Sequence, residues 1–266
     1  MSRETPSPPW SEATPLSPLS EAAPPPHAAW QRDGTVRFYL DSVRGAIPFA
    51  HEQFAVLLQL VANGRQPVRR FLDLGAGDGV LSAVMLSSYP AAEPVLLDFS
   101  PPMLDAANAR LVPLATKPTL LEADLANPAW CEAAAPHAPF DAIVSSFAIH
   151  HLEDERKRAL FGELFELLAP GGTFAHIEHV AADTPWIARA FDEGMIDAIW
   201  DHGRRSDPTL THEAAAAAYS NRPDRDANRL APLDAQCAWL RETGFAQVAA
   251  PFRWYELAVF GGYRPA

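Results

Sequence analysis

"RRFLDLGAGDGVLSAVML", residues 69–86, is the stretch that decides the fold. A short apolar run stops at Asp73, glycines follow at 75, 77 and 79, and a helical pattern begins at once. Short apolar runs bounded by glycine read as buried strands, and the change of period behind this one reads as a helix. A glycine-rich turn between a strand and a helix lets a ligand approach the backbone and offers it helix N-terminal N–H groups.

The same rhythm repeats downstream. "PVLLDFS" (94–100) is a second strand, and "SPPMLDAANARL" opens a helix with Ser100 as N-cap and prolines in its first turn. "PTLLEADL" (118–125) and "FDAIVSSF" (140–147) are the third and fourth strands. The helix "EDERKRALFGELFELLAPGG" has acids in its first turn and glycine past its end, and "GTFAHIEHV" (172–180) is the fifth strand. Upstream, a helical pattern runs from Val36, interrupted at Pro48. The segment 181–230 breaks the alternation and contains one clear amphipathic helix, "TPWIARAFDEGMIDAIW". "PLDAQCAWLRETGF" gives a further helix, and "AQVAAPFRWYELAVFGGYR" reads as two closing strands joined by a tight turn. Strands alternating with helices imply right-handed crossovers, hence an α/β protein with a doubly wound, mainly parallel sheet of seven strands.

Composition narrows the function classes. The chain has 266 residues, 48% of them hydrophobic, which is enough for one large domain with its own core. A net charge of -12 repels a phosphate backbone on average, so nucleic acid is a disfavoured partner. Cys131 and Cys237 stand far apart, which leaves no disulfide framework and no zinc motif and suits a reducing cytoplasm. No apolar run approaches the roughly 20 residues a membrane span needs. Eight of the first 26 residues are proline, so 1–30 reads as an extended, disordered tail preceding a domain over 31–266. The expected partners are a small molecule and, at most, a second copy of the chain.

The glycine loop alone admits several ligands. A P-loop needs Gly-Lys-Ser/Thr, and no lysine follows Gly79. A dinucleotide loop needs G-x-G-x-x-G, whereas here the third glycine comes one step early and the acid Asp73 precedes the first. A carboxylate at the loop repels a pyrophosphate and suits a cation. Asp98 ends the second strand at the distance where an acid commonly accepts ribose hydroxyls, and Asp124 ends the third. Each acid alone reads as a turn or cap residue. Three at successive strand tips favour a nucleoside with a positively charged amino-acid tail.

With these residues the sequence resembles the class I S-adenosylmethionine-dependent methyltransferases of small-molecule type. The matching blocks are "LDLGAGDG" (72–79), "LLDFSPPML" (96–104), "EADL" (122–125), "FDAIVSSFAIHHL" (140–152) and "LAPGGTF" (168–174), in the family's order. The resemblance covers roughly 36–262. It implies a Rossmann-like methyltransferase fold with an antiparallel last strand, and a helical insertion at 181–230 that covers the acceptor. It implies S-adenosyl-L-methionine as cofactor, with Asp73, Gly75, Ala76 and Gly77 around the methionine end. Asp98 then holds the ribose, with Phe99 and Met103 beside the adenine, Asp124 and Leu125 at the base edge, and Ser146 at the pocket floor. Tyr39 is similar to the aromatic that closes over the cofactor in many members, and equally to a packed helix tyrosine.

Methyl transfer from a sulfonium is an in-line displacement, so the protein supplies alignment and, for a protonated acceptor, a base. His150 and His151 follow the fourth strand near the expected methyl position. They read either as a base or substrate contact, or as residues that cap the next helix and pack over the cofactor, the second being the preferred reading. In "HIEHV", strand alternation puts His176 and Glu178 on one face and His179 on the other. Glu178 and His179, with His151, are the expected catalytic residues. Two histidines and a carboxylate invite a metal, but adjacent faces do not converge, and Ser145 and Ser146 stand where magnesium-dependent relatives carry an acid; no metal is expected. The insertion supplies aromatics and the arginines 204, 205 and 222, which read as an acid-binding set or as solvated partners of nearby aspartates. Two alternatives stay open: a carboxy-S-adenosylmethionine synthase-like enzyme of transfer RNA modification, and a cofactor-binding protein without catalysis.

Overall fold

Four of the five parallel strands are apolar for most of their length because both of their faces are covered, as parallel sheets require. In the computed structural model, which describes residues 44–64, 67–114, 117–222 and 225–266, seven strands form one sheet. They are β1 (Arg70–Leu74), β2 (Glu93–Asp98), β3 (Thr119–Glu122), β4 (Phe140–Ser146), β5 (Leu168–His179), β6 (Ala246–Trp254) and β7 (Leu257–Tyr263), in the order β3-β2-β1-β4-β5-β7-β6. β1 to β5 pair in parallel, and β7 runs antiparallel between β5 and β6. The expected α/β class, doubly wound sheet and reversed last strand are what the structure has. The proposed Pro-rich tail, like Tyr39, lies outside the described residues.

Helices cover both faces. On one, α1 (Ala50–Ala62), α2 (Val80–Ser88) and α3 (Pro101–Leu111) pack Leu57, Val61, Leu81, Met85 and Leu111 onto Phe71, Leu96 and Val144. On the other, the short α4 (Trp130–Ala134) with α5 (Asp154–Leu167) and α8 (Leu233–Thr243) buries Trp130, Leu160, Leu164 and Leu240 on Leu72, Ile143 and Phe174. Each fully buried side chain of this size contributes about 1.5–3 kcal/mol, so the two layers carry the fold.

Three boundaries differ from the sequence reading. β3 stops at Glu122, which leaves Asp124 in the turn beyond it. β5 starts at Leu168 because α5 ends directly into it, and Leu168 pairs with Phe140 ahead of a register shift. The insertion holds two helices rather than one: α6 (Pro185–Gly203) and α7 (His212–Ser220). Each is capped by a threonine, with Thr184 accepting from the Ile187 N–H and Thr211 from the Ala214 N–H. α7 is an alanine run with no apolar stripe, so no 3.6-residue period announces it; propensity and its cap make it helical. The two helices close a small third cluster of Phe191, Met195 and Tyr219 over Leu257. Strand order reverses between β1 and β4, and the insertion lies across the carboxyl ends there, so a crevice opens beneath it.

Candidate active site

The loop after β1 begins with two glycines in the left-handed region, at φ 66° for Gly75 and 54° for Gly77. They serve different ends. A Cβ at Gly75 would lie 2.2 Å from the Ala148 Cβ, so this glycine allows β1 and the end of β4 to approach. A Cβ at Gly77 would meet nothing within 4 Å among the described residues. Gly77 is among the residues that line a cavity of about 240 Å³.

Asp98 fixes the loop to β2. Its Oδ2 accepts from the Gly77 N–H at 2.8 Å and its Oδ1 from the Ser100 N–H at 2.9 Å. Burial raises the pKa of its carboxyl, and the backbone donors at Gly77, Ser100 and Phe99 oppose that rise. Gly75, Ala76, Gly77, Asp98, Phe99, Met103, Asp124, Leu125 and Ser146 all line the cavity, with Asp124 Oδ1 also accepting from the Ala126 N–H at 2.8 Å. Asp73 does not line it. Its carboxylate is 1% exposed and takes the Ser82 hydroxyl at 2.6 Å, so it fastens β1 to α2 behind the loop. A strand pattern tells which face a side chain leaves from; it does not tell that the next helix offers a hydroxyl.

At the other end of the cavity the histidines are arranged in pairs with acids. His150 Nδ1 lies 2.6 Å from Glu178 Oε1, which also accepts the His179 N–H at 2.8 Å. His179 Nε2 lies 2.8 Å from Glu256 Oε2, on the turn between β6 and β7. The rings of His150 and His179 stand 5.8 Å apart. His150, His151 and His179 line the cavity, whereas Glu178 sits behind His150, fully buried. Neither His150 nor His151 caps α5, whose N-cap position is Glu153. His151 Nδ1 points to the Ala227 carbonyl at 3.4 Å, and its ring packs on His150.

Burial sets the protonation of this group. It drives the His150 imidazole well below its usual range, helped by the charges of His179, Lys157 and Arg222, and it raises the Glu178 carboxyl. Both directions oppose an imidazolium in the resting site. With the Nδ1–H given to Glu178, the lone pair of His150 sits on Nε2, so the pair can take up one proton from a molecule in the cavity. His176, expected on the same face as Glu178, is there: its Nδ1 is 3.8 Å from Glu178 Oε2. Its pKa falls to about 4, chiefly through burial, and it stacks on Phe174 as a neutral core residue. Among the described residues no group of His, Cys, Asp or Glu is placed to hold a metal ion.

Comparison with known proteins fits this geometry. Residues 71–172 match the profile of a methyltransferase domain. The trans-aconitate 2-methyltransferase of Methylobacterium radiotolerans is 33% identical over 199 residues, covering 69% of this chain and 71% of that protein. The chain belongs to the class I S-adenosylmethionine-dependent methyltransferases. Another relative, the carboxy-S-adenosyl-L-methionine synthase of Aeromonas hydrophila, is 26% identical over 234 residues, 85% of each chain. An O-methyltransferase family protein from Burkholderia thailandensis shares the fold at a TM-score of 0.62 and 17% identity, over 91% of this chain and 63% of that one.

The family's cofactor is S-adenosylmethionine, and the cavity suits a cationic nucleoside. Its loop end carries acids and the open side of Gly77. Its wall also holds a residue that sequence reasoning missed, Gln53 of α1, which is 1% exposed. Its Nε2 donates to the Pro48 carbonyl at 2.7 Å, which fixes the amide orientation and leaves Oε1 buried with no hydrogen-bond partner among the described residues. An acceptor stranded in that way costs about 1–3 kcal/mol until a ligand N–H or O–H meets it. Only its apolar helix neighbours could have pointed to Gln53, as a polar interruption of a buried stripe.

Proposed function

We propose that this methyltransferase transfers the cofactor's methyl group to a small-molecule acceptor, with His150 as general base and Glu178 as the residue that orients it. The observation that carries this reading is the 2.6 Å pair of His150 and buried Glu178 at the wall of the cavity that Gly77 and Asp98 open onto. When bound, S-adenosylmethionine supplies the activated methyl on its sulfonium. Asp98 and Asp124 take the nucleoside, with Phe99 and Met103 against the base and Ser146 beneath. Gln53 Oε1 accepts from a ligand donor. Asp73 acts from behind, by holding the start of α2 under the loop.

At the acceptor end, His150 Nε2 takes the proton of the attacking group, and the Glu178 carboxylate stabilises the imidazolium that results. His179, held by Glu256, and His151 contact the acceptor. Phe191 and Met195 of α6 and Tyr219 of α7 exclude water above them. Free Cys131 and Cys237 suit a reducing cytoplasm, and no described helix is long and apolar enough to cross a membrane.

The second reading, carboxy-S-adenosylmethionine synthesis, is favoured by the length of the match to that relative. Mass spectrometry of the ligand retained on purification separates the two. S-adenosylmethionine or its demethylated product supports methyl transfer; a carboxylated cofactor overturns it. A protein that binds the cofactor tightly and labels no molecule in a metabolite extract would be a sensor instead.

A further inference from the structure

Both ring nitrogens of His176 are buried and lack a hydrogen-bond partner among the described residues. The ring sits among Phe161, Phe174 and Phe260, with centroids 6.4, 5.1 and 4.1 Å away, and three phenyl rings offer a nitrogen little to bond. Two residues along β5, on the same face, Glu178 Oε2 is also buried without a partner. It lies 3.8 Å from His176 Nδ1. A bridging water needs about 4.5 Å or more between its two partners, so the gap has no room for one. It is also longer than a hydrogen bond, but small side-chain rotations close it, and hydrogen bonds of a catalytic group tighten when a site is loaded. One contact would then satisfy two groups that are each costly to leave stranded.

We propose that His176 is a positioning residue for methyl transfer: its Nδ1–H donates to Glu178 Oε2 and holds this carboxylate, ionised, against His150. The other oxygen is already held, since Oε1 faces His150 Nδ1 at 2.6 Å and takes the His179 N–H at 2.8 Å. The His179 ring is engaged elsewhere, its Nε2 lying 2.8 Å from Glu256 Oε2. Burial raises the Glu178 carboxyl, and His176 is the largest of the causes that oppose the rise. A protonated Glu178 could not stabilise an imidazolium at His150, so a donor on Oε2 bears on the reaction although His176 does not line the cavity.

The inference rests on the methyl-transfer reading, and its two measurements keep the two apart. Nitrogen-15 spectra of histidine-labelled protein saturated with S-adenosylhomocysteine report which nitrogen of each neutral ring holds the proton. The His176 ring, identified by its proximity to the Phe174 and Phe260 ring protons, is expected as the Nδ1–H tautomer. The Nε2–H tautomer overturns the contact. Transfer of labelled methyl from S-adenosylmethionine into a small-molecule extract then compares variants. His176→Phe fills the aromatic box without the donor and should slow labelling about tenfold or more, with affinity for S-adenosylhomocysteine unchanged. His176→Asn places an N–H near the position of Nδ1 and should restore most of the rate. Labelling by His176→Phe at the wild-type rate, or by His176→Asn no faster than by His176→Phe, overturns the role. A wild-type protein with the Nδ1–H tautomer that binds S-adenosylhomocysteine and labels nothing retains the contact and strikes the methyl-transfer reading instead.

Discussion

Glu178 touches no open space, yet its loss should be felt at the site as much as that of any lining residue. In the proposed role its Oε1 accepts the Nδ1–H of His150 and so sets the tautomer, the two atoms lying 2.6 Å apart. Glu178→Gln and His150→Phe should each lower kcat by about 10²–10⁴-fold, the usual contribution of a positioned base, while affinity for S-adenosylhomocysteine by calorimetry stays within a few-fold. Because burial holds the His150 pKa down, the acid limb of the wild-type pH–rate profile should lie below the ordinary histidine value of about 6.5. A limb at or above that value would mean that another group is the base. Asp98→Ala should weaken cofactor-product binding by about 1–3 kcal/mol, since it strands the Gly77 and Ser100 donors and removes the acceptor from the cavity. Unchanged affinity would place the nucleoside elsewhere. The acids at strand tips were legible as a group in the sequence. What was not legible is which of them faces the cavity: Asp98 does and Asp73 does not, because a rotamer and a hydroxyl on α2 decide it.

Between elements, the loop after β1 separates structure from binding within three residues. Gly75→Ala combines a left-handed φ with the 2.2 Å approach to Ala148, and should cost about 2–4 kcal/mol of stability by denaturant titration. Gly77→Ala carries only the strain, about 1–2 kcal/mol, and should act mainly on cofactor binding because Gly77 lines the cavity. Similar stability losses for the two would contradict this division. The proposed pair of His150 and Glu178 shows what sequence reasoning leaves out. His150 and Glu178 are 28 residues apart, on the exits of different strands, and although each is a candidate in its own segment, nothing in either segment pairs them. They meet because β4 and β5 pair in parallel with Ser146 opposite Ile177, which sets the two exits side by side. Period and propensity located both strands; the register that joins them is a tertiary fact. α7 escaped for the opposite reason, since its alanines bury too little to leave a pattern.

At the scale of the whole molecule, burying neutral histidine ties folding to pH. His176 has a folded pKa of about 4 against about 6.5 in the unfolded chain. As pH falls through 6.5 the unfolded chain takes the proton first, so stability declines from there to about pH 4 and levels off below. The full loss is about 3 kcal/mol. His176→Phe, which keeps a ring among Phe174, Phe161 and Phe260, should flatten that part of the stability curve. An unchanged slope between pH 4 and 6.5 would show that other groups set it. The division of the described residues into a seven-stranded sheet and a helical insertion across its crevice was readable from the point at which strand and helix alternation stops. The chemistry of the acceptor was not, because it depends on what α6, α7 and the segment after them fold over.

The central claim is that this cavity transfers a methyl group with His150 as the base. It is tested most directly by incubating wild-type and His150→Phe protein with S-adenosylmethionine labelled in its methyl group and a small-molecule extract, then following label in the extract. The account predicts label in a small molecule with the wild-type protein, and little or none with His150→Phe, although both bind S-adenosylhomocysteine equally. Equal labelling by the two proteins, or no labelling by a wild-type protein that binds the cofactor, would contradict it.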